Sequence, residues 1–208
     1  MSLDQWRGKL GDQYTTRNRY GTRRNVWDDI IPGIGNLLEI GANVGRNLEA
    51  IHEIDPSIEL WATEPNDLAR CHLTDYLLYL EGARNDPADS LSFGSNTFDC
   101  VLTCGVLIHI PTYLLAKSMN EIFRVSNRYI ICAEYFAPKE EMIRYQGQDN
   151  LLWRRDYGSL YQSIYPELKC IDVRFWWKPS TGMDNLTVWL FEKKSNGKTH
   201  NQSKKIAA

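Results

Sequence analysis

The sequence predicts an α/β fold, in which a mainly parallel sheet of seven strands carries helices on both faces. The first observation is the alternation of short apolar runs with stretches of helical periodicity between residues 37 and 164. The second is that several runs, such as 98–103, are apolar throughout, which is typical of strands covered on both faces. The third is a pair of alternating runs on either side of residues 179–182, which predicts an antiparallel hairpin at the end of the sheet.

The N-terminal part contains one predicted helix, over residues 22–31, which Thr22 caps and Pro32 ends. From there on, predicted strands and helices alternate. The strands are expected at residues 37–40, 58–63, 77–80, 98–103 and 129–135, with the hairpin runs at 168–177 and 185–192. The helices are expected at residues 45–54 and 156–164 and in two segments that open at Pro65 and Pro111, where proline suits the first turn. Loops are expected at residues 85–87 and 144–155.

The composition is that of a single soluble domain. Apolar residues make up 43% of the 208 residues and charged residues 24%, which is ordinary for a globular chain and argues against disorder throughout. No apolar run approaches the roughly 18 residues that span a bilayer, and residues 1–7 lack the apolar core of a signal peptide, so we expect no membrane partner and a cytoplasmic location. The five cysteines are an odd count without a CxxC pair, and this favours reduced thiols over disulfides or a metal site.

The charge is unevenly distributed along the chain. The net charge is −2, but residues 193–208 hold five lysines and no acid, so that residues 1–192 hold 19 basic residues against 26 acidic ones. An acidic domain is a poor candidate for binding nucleic acid, which relies on a clustered basic surface. The polar, aperiodic segment 194–208 is expected to be a disordered tail.

Residues 37–51, LLEIGANVGRNLEAI, have the order of a strand, a glycine turn and a helix. Gly41 lets the backbone turn tightly beside a ligand, and Gly45 lets the helix begin close to the strand. Glu64 follows 23 residues after Gly41, at the end of the second predicted strand, where a carboxylate accepts hydrogen bonds from both hydroxyls of a ribose. Together these residues predict an adenosine-binding site at the carboxyl ends of the strands.

The other residues of the turn favour S-adenosylmethionine over a dinucleotide. A dinucleotide needs a third glycine and an open nest of amides for its pyrophosphate, but this chain has Asn43, Arg46 and Asn47 here. S-adenosylmethionine has no phosphate and instead carries a sulfonium, an ammonium and a carboxylate group. Glu39, on the strand before the turn, is suited to orient the loop and the ammonium group.

At these positions the sequence resembles the class I S-adenosylmethionine-dependent methyltransferases, which have a Rossmann-like fold. Glu39-x-Gly41 is similar to their first motif, Glu64 to their ribose-binding acid and residues 98–102 to their fourth-strand motif, whereas Asn43 stands where many members have glycine. Over about residues 5–193 the chain is also similar to the methylases associated with pseudaminic acid biosynthesis gene clusters. That resemblance is carried by GDQYTTRN (11–18), LLEIGANVG (37–45), GVLIHI (105–110), NRYIICAEYF (127–136) and LWRRDY (152–157).

The resemblance implies an enzyme that transfers a methyl group to the oxygen or nitrogen of a small polar acceptor, with a sugar or nonulosonic acid as the expected substrate class. It implies an N-terminal helical lid at residues 1–36, a methyltransferase domain at residues 37–193 and the tail at 194–208. In the lid, Arg17 or Arg19 is expected to pair with the carboxylate of the cofactor, and Tyr14 to pack near its sulfonium. The expected cofactor-binding residues are Tyr14, Arg17, Glu39, Gly41, Ala42, Asn43, Asn47, Glu64, Pro65, Ala83, Cys104 and Gly105.

Methyl transfer to a hydroxyl group needs a base near the acceptor. His109 lies just past the fourth predicted strand and is the first candidate catalytic residue, with a structural role as the alternative. Glu134 and Tyr135 end the fifth strand at the same edge, where Glu134 is a second candidate base and Tyr135 a candidate for substrate binding, or both only pack. Arg144 and Arg155 lie in the aromatic-containing segment after that strand, whose composition suits an anionic sugar or an ordinary surface loop.

Two other functions stay open from the sequence. Gly41, Gly45 and the pair Tyr113-x-x-x-Lys117 also suit a short-chain NAD(P)-dependent reductase, although Asn47 replaces the third glycine and the Tyr–Lys pair comes one element too early. On a helical wheel that pair faces away from the apolar stripe of its helix, which favours a solvated face. A non-catalytic protein that binds S-adenosylmethionine is the other alternative, and monomer and dimer are both open.

Overall fold

The computed structural model describes residues 2–19 and 26–194. Two short helices, α1 (Ser2–Arg7) and α2 (Lys9–Asn18), precede the sheet. The elements that follow are β1 (Asn36–Ile40), α3 (Arg46–Ile54), β2 (Glu59–Thr63), α4 (Asp67–Tyr76), β3 (Leu80–Arg84), β4 (Phe98–Cys104), α5 (Thr112–Val125), β5 (Ser126–Glu134), β6 (Glu141–Tyr145), β7 (Gln148–Arg154), α6 (Tyr157–Ile164), β8 (Leu168–Trp176), α7 (Lys178–Thr181) and β9 (Leu186–Lys193). A short 3₁₀ turn, Leu107–His109, lies between β4 and α5.

Seven of these strands form one sheet in the order β3-β2-β1-β4-β5-β9-β8. Neighbouring strands from β3 to β5 run parallel, while β9 is antiparallel to both β5 and β8. The predicted mainly parallel sheet with a C-terminal antiparallel hairpin is therefore confirmed. The chain order reverses between β1 and β4, so the loops after these two strands diverge and open a cleft at their carboxyl ends.

Helices cover both faces of the sheet, as predicted. On one face α3 and α4 pack through fully buried side chains such as Leu48 and Leu73. On the other face α5 and α6 pack through Met119 and Tyr161, which are also fully buried. This two-sided burial explains why the central strands are largely apolar along their length. Among the helices of the described residues, none has the length and apolar character needed to cross a bilayer.

The third strand lies later in the chain than predicted. We expected it at residues 77–80, but the strand is Leu80–Arg84. The preceding helix continues to Tyr76, and the amide of Leu77 still donates to the carbonyl of Leu73 at 3.1 Å. The apolar residues at this point therefore serve the end of a helix, whereas the strand itself is a partly exposed edge strand.

The segment expected to be a loop at residues 144–155 instead belongs to a hairpin of β6 and β7, which form a separate two-stranded antiparallel sheet. At its tip Gln146 and Gly147 both have positive φ angles, of 51° and 76°. Two consecutive positive φ angles are typical of a type I′ turn, which usually has asparagine or aspartate before the glycine. Glutamine at this position conceals the hairpin in the sequence.

The helix predicted at residues 22–31 is wrong for the part that is described. Residues 26–31 form bends and turns, in which the carbonyl of Trp27 accepts the amides of Ile30 and Ile31. The side chain of Trp27 is fully buried and packs edge to face on Trp176, with 4.8 Å between ring centroids. Tertiary packing thus overrides the local helical pattern. Residues 22–25 of that helix and residues 195–208 of the predicted tail lie outside the described residues.

Candidate active site

A cleft of about 240 Å³ lies at the carboxyl ends of β1 and β4, where the sequence predicted the site. The glycine turn between β1 and α3 forms its base, and residues 104–106 after β4 form one wall. Residues 86–89, after β3, line the opposite side. The first two helices cover the cleft through Leu3, Trp6 and Tyr14.

The two predicted glycines of the turn are both required by the backbone. Gly41 has a φ of +66°, and a Cβ atom there would lie 2.8 Å from Cγ2 of Val106. Gly45 has a φ of +81°, and a Cβ atom there would lie 2.3 Å from a methyl group of Leu77. Because L side chains rarely adopt this conformation and no space is left for one, glycine is needed at both places.

The backbone amides of the turn donate hydrogen bonds to acceptors within the protein. Asn43 has a φ of 51°, which asparagine tolerates better than most residues, and its Oδ1 accepts the amide of Val44 at 2.7 Å. The amide of Asn43 donates to Oε2 of Glu64 at 2.7 Å. The amides of Ala42 and Gly45 donate to backbone carbonyls at 3.0 and 2.9 Å. Four consecutive amides are therefore occupied, and the turn presents no open nest for a phosphate group.

Glu64 is held rigidly at the end of β2. Its Oε2 accepts the amide of Asn43, and its Oε1 accepts the amide of Asn66 at 2.8 Å. Burial raises the pKa of this carboxyl, while the two amide bonds act in the opposite direction. Each carboxylate oxygen can accept a further hydrogen bond, so a pair of vicinal hydroxyls on a bound ligand can be recognised here.

Glu39 and Asn47, both predicted to bind the cofactor, meet at the base of the cleft. The side-chain amide of Asn47 donates to Oε1 of Glu39 at 2.6 Å, and both residues are almost fully buried. A buried acid that also lines the cleft places negative charge where a ligand ammonium group would be favoured.

The turn after β4 is fixed by Glu134. Gly105 has a φ of +69° and lines the cleft, and the chain then enters the 3₁₀ turn. The carboxylate of Glu134 accepts the amides of Val106, Leu107 and Ile108 at 3.1, 3.0 and 3.3 Å. Glu134 is fully buried behind the turn and lies outside the cleft lining. Burial raises the pKa of Glu134 to about 7 against the opposite effect of the three amides.

His109 lines the cleft at the end of this turn. Its Nδ1 lies 2.6 Å from the carbonyl oxygen of Leu151 on β7, and because a carbonyl only accepts, Nδ1 carries the hydrogen. The lone pair is thereby assigned to Nε2. Burial lowers the pKa of His109 to about 4, so the ring is neutral near pH 7. The ring also packs against Trp6, with 4.4 Å between centroids.

The N-terminal helices are anchored to the core by Asn66. Its side-chain amide donates to the carbonyl oxygen of Trp6 at 3.1 Å and to Oδ1 of Asp12 at 2.9 Å. A Cβ atom on Gly11 would lie 1.8 Å from the same Trp6 carbonyl, so α2 can approach this closely only with glycine at that position. Asn66 lies two residues after Glu64. The anchor of α1 and α2, which cover the cleft, and the predicted ribose contact therefore lie in the same short segment.

The cover also contacts the hairpin of β6 and β7 on the far side of the cleft. The side chain of Gln5 donates to that of Gln148 at 2.9 Å. The guanidinium of Arg17 donates to the hydroxyl of Tyr145 at 3.3 Å and lies over the ring of Tyr14 at 5.1 Å. Arg17 itself lies outside the cleft lining.

The structure brings most of the predicted site residues together. Those that line the cleft are Tyr14, Glu39, Gly41, Ala42, Asn43, Asn47, Glu64, Pro65, Cys104, Gly105 and His109. Arg17, Ala83 and Glu134 do not line it. Ala83 lies within β3 and packs against the core, and the residues after that strand take the place expected for it.

The three residues expected to bind substrate also lie outside the cleft lining. The hydroxyl of Tyr135 donates to Asp184 at 3.0 Å, and burial raises its pKa. The guanidinium of Arg144 donates to the carbonyl of Gly147 at the exposed hairpin tip. Arg155 is only 2% exposed, and its guanidinium is bound by other protein groups. Sequence identifies these as polar residues near the site but does not reveal that their polar atoms are already used.

Several lining residues were not expected from the sequence. They are Leu3, Trp6, Gly11, Ile40, Asn66, Pro87, Ala88, Asp89, Ile110, Leu114 and Ser118. The loop after β3 was signalled by the rule that ligands bind at carboxyl strand ends, but the misplaced strand moved it out of register. No local pattern in the sequence points to Trp6, since its place depends on the anchoring of α1.

The charged groups of the cleft lining favour a cationic ligand. The lining carboxylates are Glu39, Glu64, Asp86 and Asp89, and Arg46 is the lining guanidinium among the described residues. Asp89 is paired with Lys117 at 3.0 Å, which reduces but does not reverse the excess of negative charge. No cluster of three or more metal-ligating side chains occurs within residues 2–19 and 26–194.

The fold is the Rossmann-like fold of the class I S-adenosylmethionine-dependent methyltransferases. The chain is similar to an S-adenosylmethionine-dependent methyltransferase from Leishmania major, with a TM-score of 0.66 and 17% identity over 91% of this chain and 81% of that one. It is similar to magnesium protoporphyrin IX methyltransferase from Synechocystis PCC 6803 with bound S-adenosylmethionine, with a TM-score of 0.62 and 14% identity over 92% and 94%.

A third similar structure is the 1,6-didemethyltoxoflavin-N1-methyltransferase from Burkholderia thailandensis, with bound 1,6-didemethyltoxoflavin and S-adenosylhomocysteine. Its TM-score is 0.61, with 15% identity over 76% of this chain and 70% of that one. Identities at this level show a shared fold. No family model matches the chain, and no curated protein matches it in sequence.

Proposed function

We propose that the protein is an S-adenosylmethionine-dependent methyltransferase that acts on a small polar acceptor. The observation that carries this proposal is the glycine turn beside Glu64, whose four amides are all bound within the protein. These four amides are not available to the pyrophosphate of a dinucleotide, while the carboxylate of Glu64 suits the ribose of an adenosine ligand.

The residues of the cleft fit the other groups of this cofactor. Glu64 is suited to the ribose hydroxyls, and Glu39 supplies negative charge near the base of the cleft, where the ammonium group is favoured. A Cβ atom on Gly105 would meet only a methyl group of Ile108, at 3.9 Å, so glycine keeps this wall of the cleft open. The excess of lining carboxylates agrees with a ligand that carries a sulfonium and an ammonium charge.

The chain contributes placement and proton removal to the proposed reaction. S-adenosylmethionine supplies, when bound, an electrophilic methyl group on a sulfonium sulfur. In the proposed reaction Nε2 of His109 accepts the proton of an acceptor hydroxyl, and this role is supported by the neutral ring and by the bond of Nδ1 to Leu151. The rings of Trp6 and Tyr14 cover the same space and exclude water from it.

The covered cleft favours a small acceptor over a macromolecule. The rings of Trp6, Tyr14 and His109 line it, and aromatic rings pack well against the C–H face of a sugar or another ring. The sequence resemblance supports a sugar-derived acceptor, and the acidic lining favours a neutral sugar over a sugar acid or a nucleic-acid backbone. A cytoplasmic location is part of the same proposal.

The proposal is tested by ligand-induced stabilisation of the full chain. S-adenosylhomocysteine at about 100 times its dissociation constant should raise the free energy of unfolding by about 2.7 kcal/mol and increase the melting temperature, whereas NADPH should not. Transfer of a radiolabelled methyl group to a panel of small hydroxyl and amine compounds then reports the reaction. Stabilisation by NADPH without stabilisation by S-adenosylhomocysteine would overturn the proposal.

The reductase alternative is disfavoured by the place of its characteristic pair. Tyr113 is 76% exposed on α5, and Lys117 forms an ion pair with Asp89. Neither residue lines the cleft, so the tyrosine is not available as an acid to a ligand bound there. A non-catalytic protein would bind S-adenosylhomocysteine but show no transfer to any acceptor, and this outcome separates it from the enzyme.

A further inference from the structure

Two residues expected from the sequence to act directly on the substrate, Glu134 and Arg155, are deeply buried charged groups behind the cleft. Glu134 is 0% exposed and Arg155 is 2% exposed. Neither lines the cleft. Both contact the 3₁₀ turn that carries His109. Glu134 binds backbone amides of the turn, and Arg155 binds backbone carbonyls.

The carboxylate holds the donors of the turn. Oε1 of Glu134 accepts the amides of Val106 and Leu107, and Oε2 accepts the amide of Ile108. These three consecutive amides open the 3₁₀ turn, where backbone donors lack partners within the turn and where negative charge is favoured. The backbone adds one more contact from the same strand, because the amide of Gly105 donates to the carbonyl of Ala133 at 2.9 Å.

The guanidinium holds the acceptors of the turn. Nη1 of Arg155 donates to the carbonyls of Leu107 and Ile110 at 3.3 and 3.2 Å. Its Nε donates to Glu140 at 2.7 Å, and Nη2 donates to Thr112 at the start of α5 at 3.2 Å. Positive charge is favoured at the carbonyl end of a helical turn, so both side chains complement its dipole.

We propose that Glu134 and Arg155 are positioning residues, which clamp the turn of residues 105–110 through its amides and its carbonyls and so set the place of Gly105 in the cofactor cleft and of His109 beside the acceptor. The inference rests on the proposed function for its catalytic consequence. Its structural part, the fixing of the turn, is independent of which ligand the cleft binds.

The clamp differs from direct catalysis in what a conservative substitution changes. In Glu134→Gln the amide oxygen best replaces Oε1, which serves two amides, and the NH₂ group then faces the amide of Ile108. We expect hydrogen exchange at Ile108 to become at least about tenfold faster, with a smaller change at Val106 and Leu107. Affinity for S-adenosylhomocysteine and kcat should both fall, each by about tenfold. Arg155→Lys should act in the same direction, because lysine cannot bind both carbonyls with one planar group.

A matched pair of variants controls for a change of charge at an exposed ion pair of the same sheet. Glu192→Gln and Arg128→Lys alter a carboxylate–guanidinium pair, 2.8 Å apart, on the exposed surface of β5 and β9. These variants should leave the exchange rates of residues 106–108, the affinity and kcat unchanged. Circular dichroism and melting temperature establish that each variant is folded, and Glu134→Asp is measured beside Glu134→Gln in case the latter does not fold.

Each outcome decides the question. If Glu134 is the base, Glu134→Gln abolishes kcat while exchange at residues 106–108 and affinity for S-adenosylhomocysteine stay at the wild-type values. If Arg155 binds the acceptor directly, Arg155→Lys raises the KM of the acceptor alone. Unchanged hydrogen exchange at residues 106–108 in folded Glu134→Gln overturns the clamp. If exchange is faster in Glu134→Gln but the wild type itself shows no methyl transfer, the clamp is retained and only the proposed function is overturned.

Discussion

The two halves of the cleft are built in different ways. The proposed cofactor half consists of the glycine turn with Glu64, where the bond between Asn43 and Glu64 joins residues 21 positions apart that directly follow neighbouring parallel strands. The proposed acceptor half is assembled from distant segments, since Asn66 anchors Trp6 over 60 positions and His109 bonds to Leu151 over 42. The first half is backbone geometry with one carboxylate, and the second depends on side chains that meet only in the folded chain.

This difference predicts that substitutions in the two halves separate binding from turnover. Changes beside the glycine turn should weaken binding of the nucleoside, whereas changes at the acceptor half should reduce the rate with little effect on binding.

His109→Gln should lower kcat for a hydroxyl acceptor by about 100- to 10,000-fold, the usual contribution of a general base. Affinity for S-adenosylhomocysteine should be unchanged, as measured by isothermal titration calorimetry. His52→Gln, on α3, is the matched control and should leave both quantities unchanged. A wild-type kcat in His109→Gln would contradict the assignment of His109 as the base.

Glu64→Gln should weaken S-adenosylhomocysteine binding by about 10- to 100-fold, because hydrogen bonds to a charged group contribute about 1.5–3 kcal/mol. At saturating cofactor the rate should recover most of its wild-type value. Glu59→Gln, at the exposed start of the same strand, is the control. Equal affinities of Glu64→Gln and the wild type would remove Glu64 from the nucleoside site.

The stability of the acceptor half should depend on pH through His109. Because the pKa of His109 in the folded protein is lowered to about 4, the folded state resists protonation that the unfolded state accepts below about 6.5. The wild type should therefore lose about 1–3 kcal/mol of unfolding free energy relative to His109→Gln as the pH falls from 6.5 to 4. Urea unfolding of both proteins at several pH values measures this difference. If the free energy of unfolding falls equally with pH in the wild type and in His109→Gln, the lowered pKa is contradicted.

Asp12→Ala should loosen the N-terminal helices by about 0.5–1.5 kcal/mol, since it removes one hydrogen bond to Asn66 without touching the cap that Asn66 provides to α4. Limited proteolysis within the first 19 residues should become about 2- to 10-fold faster. Asp4→Ala, an exposed acid on α1, is the control. Identical cleavage of the two variants would show that Asn66 does not anchor the cover through Asp12.

The sequence predicts the glycine turn and the carboxylate at the strand end well, because their determinants are local. A glycine that needs a positive φ angle and a carboxylate at a strand end have the same meaning in any parallel sheet, so Gly41, Gly45 and Glu64 were found from their spacing. Trp6 could not be found in this way, because its contribution depends on Asn66. Arg155 illustrates the reverse error, since a charged residue in an aromatic-rich segment suggests a ligand until its burial is known.

The contacts that hold the N-terminal helices over the cleft differ in solvent exposure, and this difference bears on release of the product nucleoside. Asn66 is 2% exposed, whereas the bonds from Gln5 to Gln148 and from Arg17 to Tyr145 join exposed side chains, for which water is a ready substitute. We therefore expect α1 and α2 to rotate about the contacts with Asn66, so that their bonds to the hairpin of β6 and β7 break first. Ligands would then enter and leave the cleft between the N-terminal helices and the hairpin, while the contacts with Asn66 stay formed.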